Sequence, residues 1–279
     1  MRPEDTHEIR HSVVLPAPLL RPIRPGEGLV MLGSCFAQYM GEKLQAEGYD
    51  VAVNPLGTLF NPFSIHHTVH AALQAYDIDM PVFPVDGEWR CWWANTRVKA
   101  STRESLVAEL RERYADLGKQ LRQARHLVLT LGTNGCYCLR ASAQAPFPLP
   151  DGLVVTNCQR QPDSYFREWR ASVDDVVTAL TALVEELLQV NSDVQVILTV
   201  SPYRYAKYGY HGSQLSKATL LLAEDALVRR FPQHCCYFPA YEILLDELRD
   251  YRYYAPDGHH PGPDAIDAIW QRFSALLGS

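Results

Sequence analysis

The chain has 279 residues, of which 47% are hydrophobic and 21% charged, so it can bury the core of one large α/β domain. Its formal net charge of −6 and its scattered Lys and Arg residues provide no basic face, which argues against nucleic acid as a partner. The sequence contains neither a signal-peptide pattern nor the roughly 20 apolar residues of a membrane span, so we expect a soluble cytoplasmic protein.

The first 27 residues contain Pro16, Pro18, Pro22 and Pro25, a density that prevents a helix and interrupts sheet pairing. We therefore expect an extended arm over residues 1–27, lying on one domain formed by residues 28–279.

After this arm, continuous apolar runs alternate with amphipathic segments. Strands are predicted at 29–32, 49–53, 126–131, 194–200 and 235–238. Helices are predicted at 38–47, 64–75, 104–124, 172–190, 214–230, 241–248 and 263–277. Strands that are apolar throughout and alternate with helices predict a mostly parallel sheet with helices on both faces.

Residues 80–98 interrupt the alternation and are expected to form an inserted hairpin or loop. Their cluster of Trp89, Trp92 and Trp93 is either a local apolar cluster or a wall of the substrate pocket, because aromatic residues serve both purposes.

Two further segments are irregular. Residues 141–165 are predicted to be a second insertion with one short strand at 153–155. The tyrosine-rich segment 201–217 is predicted to be a lid over the strand ends, since it is too long for a minimal connection.

The loops at the carboxyl ends of the strands form the functional edge of such a sheet. One of them, Gly33-Ser34-Cys35, reads as a sharp turn into a helix, which suits a nucleophile or an anion site. It could also be an ordinary turn with a buried cysteine, as free cysteine is among the most buried residue types. Asp257 and His260, three residues apart in a loop, can supply the carboxylate and the base of acyl-transfer chemistry.

Metal binding is not indicated. The seven cysteines lack the spacing of a zinc site or of a disulfide framework, so we expect reduced thiols. His66, His67 and His70 have helical spacing, but a solvated helix face explains them better than a metal. We assign neither a metal nor a cofactor.

Ordered motifs along most of the chain resemble the GSCFA family, which is related to the SGNH (GDSL-type) hydrolases. They are Gly33 to Ala37, Asn54 to Pro62, Leu129 to Tyr137, Leu198 to Pro202, His211 to Ala218, Tyr237 to Glu242 and Asp257 to Pro261. The resemblance implies a flavodoxin-like three-layer α/β/α sandwich with a mostly parallel, SGNH-hydrolase-like sheet and inserted loops.

The resemblance also implies roles for individual residues. Aligned on Leu32-Gly33, Cys35 stands where the SGNH family has its nucleophilic serine and Ser34 where it has an aspartate, which leaves Ser34 as the alternative nucleophile. Asp257 and His260 match the family's D-x-x-H block, with His259 as the competing base.

For the oxyanion hole, the resemblance implies Gly57 and Asn134 together with the backbone N–H after the first turn. Asn61 is a second candidate donor. In the lid, Arg204, His211, Gln214 and Lys217 are candidates for binding the substrate.

The sequence thus predicts an ester or thioester hydrolase or acyltransferase that works through an acyl-enzyme on Cys35. Its expected partner is a small-molecule or carrier-bound acyl substrate, with neither nucleic acid nor membrane. The alternative is a non-catalytic carbohydrate- or partner-binding module on an SGNH scaffold, since fold does not guarantee function.

Overall fold

The computed structural model describes residues 13, 21–74, 79–142 and 145–278. Most of the arm predicted over residues 1–27 lies outside these residues. Within the described part of the arm, Ile23 is buried and forms a parallel bridge with Leu277, so this end of the domain packs against the last helical turn.

The strands of the described residues are, in chain order, β1 (Leu29–Gly33), β2 (Val51–Val53), β3 (Val82–Val85), β4 (Glu88–Cys91), β5 (Lys99–Ala100), β6 (His126–Leu131), β7 (Gly135–Leu139), β8 (Val154–Val155), β9 (Phe166–Arg170), β10 (Gln195–Val200) and β11 (Cys235–Tyr237). The helices are α1 (Cys35–Ala46), α2 (Pro62–Gln74), α3 (Arg103–Gln123), α4 (Val173–Val190), α5 (Gly209–Arg230), α6 (Ala240–Glu242) and α7 (Pro263–Phe273).

The central sheet consists of five parallel strands in the order β2-β1-β6-β10-β11. Counting only these five strands along the chain, the order is 2-1-3-4-5, which is that of flavodoxin-like folds. The mostly parallel sheet predicted from the apolar runs is therefore confirmed.

Helices cover both faces of this sheet. Val30 and Leu32 of β1 point to the core formed with α2, α3, α4 and α5. Leu29 and Met31, which alternate with them, point to the core formed with α1, α6 and α7. The three-layer α/β/α arrangement follows directly from a strand that is buried on both faces.

Two small antiparallel sheets are added to this core, β3-β4-β5 and β8-β7-β9. The first confirms the predicted hairpin, which turns at Asp86 and Gly87 with φ of 50° and 76°. The second contains the predicted short strand, but β7 and β9 were not predicted. They pair residues about 30 positions apart, and no local pattern reports that pairing.

Two helix boundaries also differ from the prediction. α5 begins at Gly209, five residues before Gln214, so the lid is limited to residues 201–208 and includes a 3-10 turn at Ala206–Tyr208. The helix predicted at 241–248 is the short α6 followed by a π-helical turn at Ile243–Leu248. No helix of the described ranges is long and apolar enough to cross a bilayer.

The predicted tryptophan cluster packs locally. Trp92 stacks on Phe83 with ring centroids 3.9 Å apart and lies near Phe147. Trp93 packs on His67, also at 3.9 Å. Of the two interpretations left open by the sequence, the local apolar cluster is the one that the structure supports.

Candidate active site

The turn from β1 into α1 fixes Ser34 and presents Cys35. Gly33 has a φ of +134°, and the Ser34 N–H donates to both Oγ1 and the carbonyl oxygen of Thr130, at 2.9 and 3.1 Å. The Ser34 hydroxyl caps α1 by accepting the N–H of Phe36. Ser34 is only 1% exposed, whereas Cys35 is half-buried as the first residue of the helix.

Cys35 lines a cavity of about 270 Å³ at the carboxyl edge of the central sheet. The loop after β2 contributes Phe60 and Asn61, and the connection after β6 contributes Gly132 and Thr133. The convergence of these loops at one edge is what parallel topology dictates.

The other walls come from the accessory sheet, the lid and the loop before α7. They include the side chains of Tyr137, Cys158, Tyr203, Tyr205 and His260. Cys35 and His260 therefore line the same cavity although they are 225 positions apart in the chain.

The imidazole of His260 is held by Asp257. Nδ1 of His260 lies 2.5 Å from Oδ2 of Asp257, while the backbone N–H groups of His259 and His260 donate to Oδ1 at 2.9 and 3.0 Å. These hydrogen bonds hold the pKa of the Asp257 carboxyl well below its usual range. Because Nδ1 contacts the carboxylate, Nε2 is the ring nitrogen left to exchange a proton.

The electrostatics of the Cys35 thiol are set by opposing contributions. Burial raises its pKa above the usual value, while the backbone N–H groups at the start of α1 and the charge of Lys217 lower it. Asp257 adds a smaller contribution that raises it. Burial dominates, so the free thiol stays protonated at neutral pH and needs a base to become nucleophilic.

Asn61 is the predicted oxyanion donor that reaches the cavity. Its Oδ1 accepts the N–H of Ser64 at 2.8 Å and so caps α2, but Nδ2 has no hydrogen-bond acceptor among the described residues. A side-chain N–H donor is therefore available at the cavity wall.

Gly57 and Asn134, the predicted oxyanion donors, are not among the described residues that line the cavity. The N–H of Gly57 donates to the carbonyl oxygen of Asn54 at 2.7 Å. Nδ2 of Asn134 donates to the carbonyl oxygen of Ala171 at 2.7 Å, away from the cavity. Both donors are already used within the fold.

The four predicted substrate contacts also lie outside this cavity. Arg204 and Gln214 line a neighbouring cavity, where Nη1 of Arg204 donates to the hydroxyl of Tyr251 and Gln214 accepts the hydroxyl of Tyr241. His211 is exposed on α5, and Lys217 is completely buried.

The lining beside Cys35 and His260 also includes Tyr137, Tyr203 and Tyr205, which sequence reasoning did not single out, together with polar residues such as Thr156 and Asn157. Tyr203 and Tyr205 lie in the predicted lid. The high tyrosine content of that segment is the sequence feature that could have indicated them. Tyr137 lies on β7, which was itself missed, so no local signal could have placed it.

The histidines of α2 form no metal cluster. His66 and His70 both contact the Glu186 carboxylate, at 3.6 and 2.9 Å, and burial lowers the pKa of His67 to about 4. Within the described ranges, no group of three or more His, Cys, Asp or Glu side chains is arranged to hold a metal ion.

Comparison with family models gives a match over most of the sequence. A model of the GSCFA family matches residues 28–273. No curated protein matches the chain.

Several solved structures are similar at low identity. A catalytic mutant of an acetylxylan esterase from Geobacillus stearothermophilus is 13% identical, with 92% of this chain and 96% of that chain covered and a TM-score of 0.42. A family 3 carbohydrate esterase from Talaromyces cellulolyticus is 9% identical, with coverages of 91% and 95% and a TM-score of 0.40. A lipase from a goat rumen metagenome is 9% identical, with coverages of 91% and 97% and a TM-score of 0.42.

Proposed function

The chain belongs to the GSCFA family, and from that premise we propose that it is an acyl-transfer enzyme, an ester or thioester hydrolase or an acyltransferase, that forms a covalent acyl-enzyme on Cys35. One observation carries the proposal: Cys35, at the first position of a helix, lines the same cavity as His260, whose Nδ1 is bonded to Asp257. A nucleophile, a base and a carboxylate that orients the base are the parts that acyl transfer requires.

In the first half-reaction, the sulfur of Cys35 attacks the acyl carbonyl carbon while Nε2 of His260 takes the thiol proton. The tetrahedral intermediate then collapses to a thioester, and the leaving oxygen or sulfur receives that proton. In the second half-reaction, water or an acceptor alcohol or amine attacks the thioester, gives its proton to His260 and releases the acyl product. The thiol is regenerated, and Asp257 stays ionised throughout.

Proton transfer to His260 suits the thiol because burial keeps the pKa of Cys35 above its ordinary value. A cysteine that is mostly protonated depends on a neighbouring base at the moment of attack. The N-terminus of α1 supports the developing negative charge, since the free N–H groups and the helix dipole favour anions there.

Ser34 is less suited to the role of nucleophile. Its hydroxyl is 1% exposed, caps α1 and lies 3.3 Å from Oγ1 of Thr130. Using it for attack would require the cap to break first. The Cys35 side chain caps no helix and is the more exposed of the two.

The oxyanion formed during attack needs hydrogen-bond donors. Two donors are available at the cavity. One is the N–H of Cys35, which has no intrahelical acceptor at the first position of α1, and the other is Nδ2 of Asn61. This pair replaces the combination of Gly57 and Asn134 expected from the sequence.

The test is turnover of a panel of p-nitrophenyl esters and acyl thioesters by the wild type and by Cys35→Ala. We expect release of nitrophenol or free thiol by the wild type only. A folded wild type that turns over no member of the panel contradicts the proposal and favours the non-catalytic carbohydrate- or partner-binding module. Activity that survives in Cys35→Ala contradicts the assignment of the nucleophile.

A further inference from the structure

The cavity beside Cys35 has a polar end and an aromatic wall. The ring of His260 lies against Tyr203, with ring centroids 4.5 Å apart, and Tyr203 is followed by Tyr205 at 6.3 Å. Tyr205 in turn lies close enough to Tyr137 on β7 for the two hydroxyls to affect each other electrostatically, and both residues line the cavity. The three tyrosines therefore form a continuous wall that leads away from the reacting groups.

Cys158 marks the far end of this wall. The charges of Lys207 and Glu168, which form an ion pair with an N–O distance of 2.8 Å, act on the Cys158 thiol. Lys207 also bonds the hydroxyl of Tyr137, so Tyr137 and Cys158 lie at the same end. Cys35, in contrast, responds to Asp257, which is bonded to His260 at the other end of the wall.

The far wall is electrically neutral at physiological pH. Burial raises the pKa of Cys158 to about 11 and also raises that of Tyr205. Lys207 and Glu168 neutralise each other outside the wall. A carboxylate or phosphate placed against this wall would lose part of its hydration, and none of the described residues that line the cavity is a Lys or Arg that could neutralise its charge.

The size of the cavity limits what it can hold. An apolar cavity of about 150 Å³ is large enough to bind benzene, which has six carbon atoms. The cavity here, of about 270 Å³, is nearly twice that size. An acetyl group would leave most of the cavity unfilled. The atoms that line the cavity would then lack the van der Waals contacts that a longer acyl chain makes.

We propose that the cavity binds an uncharged apolar acyl chain of medium length, about six to eight carbon atoms, with its carbonyl carbon at Cys35 and its tail along Tyr203, Tyr205 and Tyr137 toward Cys158. The inference rests on the proposed acyl transfer and names its substrate class. Cys158 then acts as a specificity-determining residue, because its side chain sets the depth of the cavity.

The test is a chain-length series of p-nitrophenyl esters on the wild type, from acetyl through butanoyl, hexanoyl and octanoyl to dodecanoyl. We expect kcat/KM to rise about two- to fourfold for each CH₂ group that the wall covers, and to fall again at dodecanoyl. The p-nitrophenyl monoester of succinic acid, which ends in a carboxylate, should react at least about tenfold more slowly than the butanoyl ester. A maximum at acetyl, or a series without length dependence, overturns the inference.

A substitution at the far end adds a second measurement. Cys158→Phe fills that end, so the preferred chain should become shorter and the ratio of hexanoyl to acetyl kcat/KM should fall. Leu215→Phe, at an exposed position of α5, is the matched control and should leave the series unchanged. An unchanged series in folded Cys158→Phe contradicts the position given to the chain, and the wild-type series decides the inference if this variant does not fold.

Binding separates this inference from the proposed function. Hexanamide and acetamide are uncleaved analogues, and calorimetry on the wild type compares their affinities without any turnover. Tighter binding of hexanamide by a protein that cleaves no ester supports the acyl site and contradicts the enzyme proposal. Equal binding together with ester turnover contradicts the acyl site and leaves the enzyme proposal standing.

Discussion

Nδ1 of His260 lies 2.5 Å from Oδ2 of Asp257, and the same carboxylate accepts the backbone N–H groups of His259 and His260. One short loop thus fixes the orientation of an imidazole at the mouth of the Cys35 cavity. The neighbouring His259 contributes only its backbone to this arrangement, so two adjacent histidines have different tasks.

This difference predicts different effects of the two alanine variants. His260→Ala removes the base and should lower kcat by about 10² to 10⁴-fold. His259→Ala keeps the backbone N–H that binds Asp257 and should retain wild-type kcat. Steady-state kinetics on a p-nitrophenyl ester compares them, and equal losses in the two variants would show that the base is wrongly assigned.

Asn61 has two roles that substitutions can separate. Asn61→Asp keeps the acceptor that caps α2 but lacks the N–H donor, whereas Asn61→Ala loses both. We expect both variants to lose about 10² to 10³ in kcat, and only Asn61→Ala to lose about 1 kcal/mol of stability through the missing cap.

Asn134→Ala is the control for this prediction. It removes the hydrogen bond to Ala171 and should lower stability by about 1 to 3 kcal/mol while kcat stays near that of the wild type. A large loss of kcat in folded Asn134→Ala, with little loss in the Asn61 variants, would restore Asn134 as the oxyanion donor.

The backbone of the β1-α1 turn depends on glycine. A Cβ on Gly33 would lie 2.2 Å from the carbonyl oxygen of Thr130, and the φ of +134° is unfavourable for any other residue. Gly33→Ala should therefore lower the free energy of unfolding by about 3 kcal/mol or more. Gly26→Ala, at φ +78° with open space around it, should cost only about 1 kcal/mol. Chemical denaturation measures both, and similar costs would contradict the close approach at Gly33.

Lys217 gives the folded protein a distinctive dependence of stability on pH. Its Nζ donates to the carbonyl oxygens of Gly132 and Ser201 at 2.7 and 2.8 Å, and complete burial lowers its pKa to about 7. Between this value and the unfolded value near 10.4, the unfolded chain binds the extra proton, so stability rises with pH.

Lys217→Met should abolish this contribution. From pH 7.0 to 8.5, the free energy of unfolding of the wild type should gain about 1 to 2 kcal/mol relative to that of the variant. Denaturation at the two pH values measures the difference in slope, in which titrating groups that do not interact with Lys217 cancel. Parallel pH profiles would mean that the Lys217 pKa is not lowered by folding.

Sequence patterns were sufficient for the central sheet because each of its strands is a continuous apolar run. The turn at Gly33 and the loop at Asp257 were likewise readable, since the relevant residues are close together in sequence. The strands β7 and β9 were not, as Gly135 to Leu139 pair with residues some 30 positions away.

Contacts between residues distant in sequence also explain why the oxyanion donors are difficult to predict. Asn134 follows a central strand, as expected for a residue at the functional edge. However, its side-chain amide donates to the carbonyl oxygen of Ala171, and its backbone N–H donates to the hydroxyl of Ser216 on α5. Lys217 lies within the predicted helix at 214–230, but its burial depends on the carbonyl oxygens of Gly132 and Ser201, which no local pattern reveals. The direction of a side chain depends on partners that are distant in sequence.

The nucleophile is the central claim, and single-turnover labelling tests it most directly. The wild type, Ser34→Ala and Cys35→Ala are each mixed with p-nitrophenyl hexanoate, quenched in acid and analysed by intact mass, with peptide mapping to separate Cys35 from the other six cysteines. We expect one hexanoyl group on the Cys35 peptide of the wild type and of Ser34→Ala, and none in Cys35→Ala. An adduct that persists in Cys35→Ala and disappears in folded Ser34→Ala would contradict the account and move the bond to Ser34.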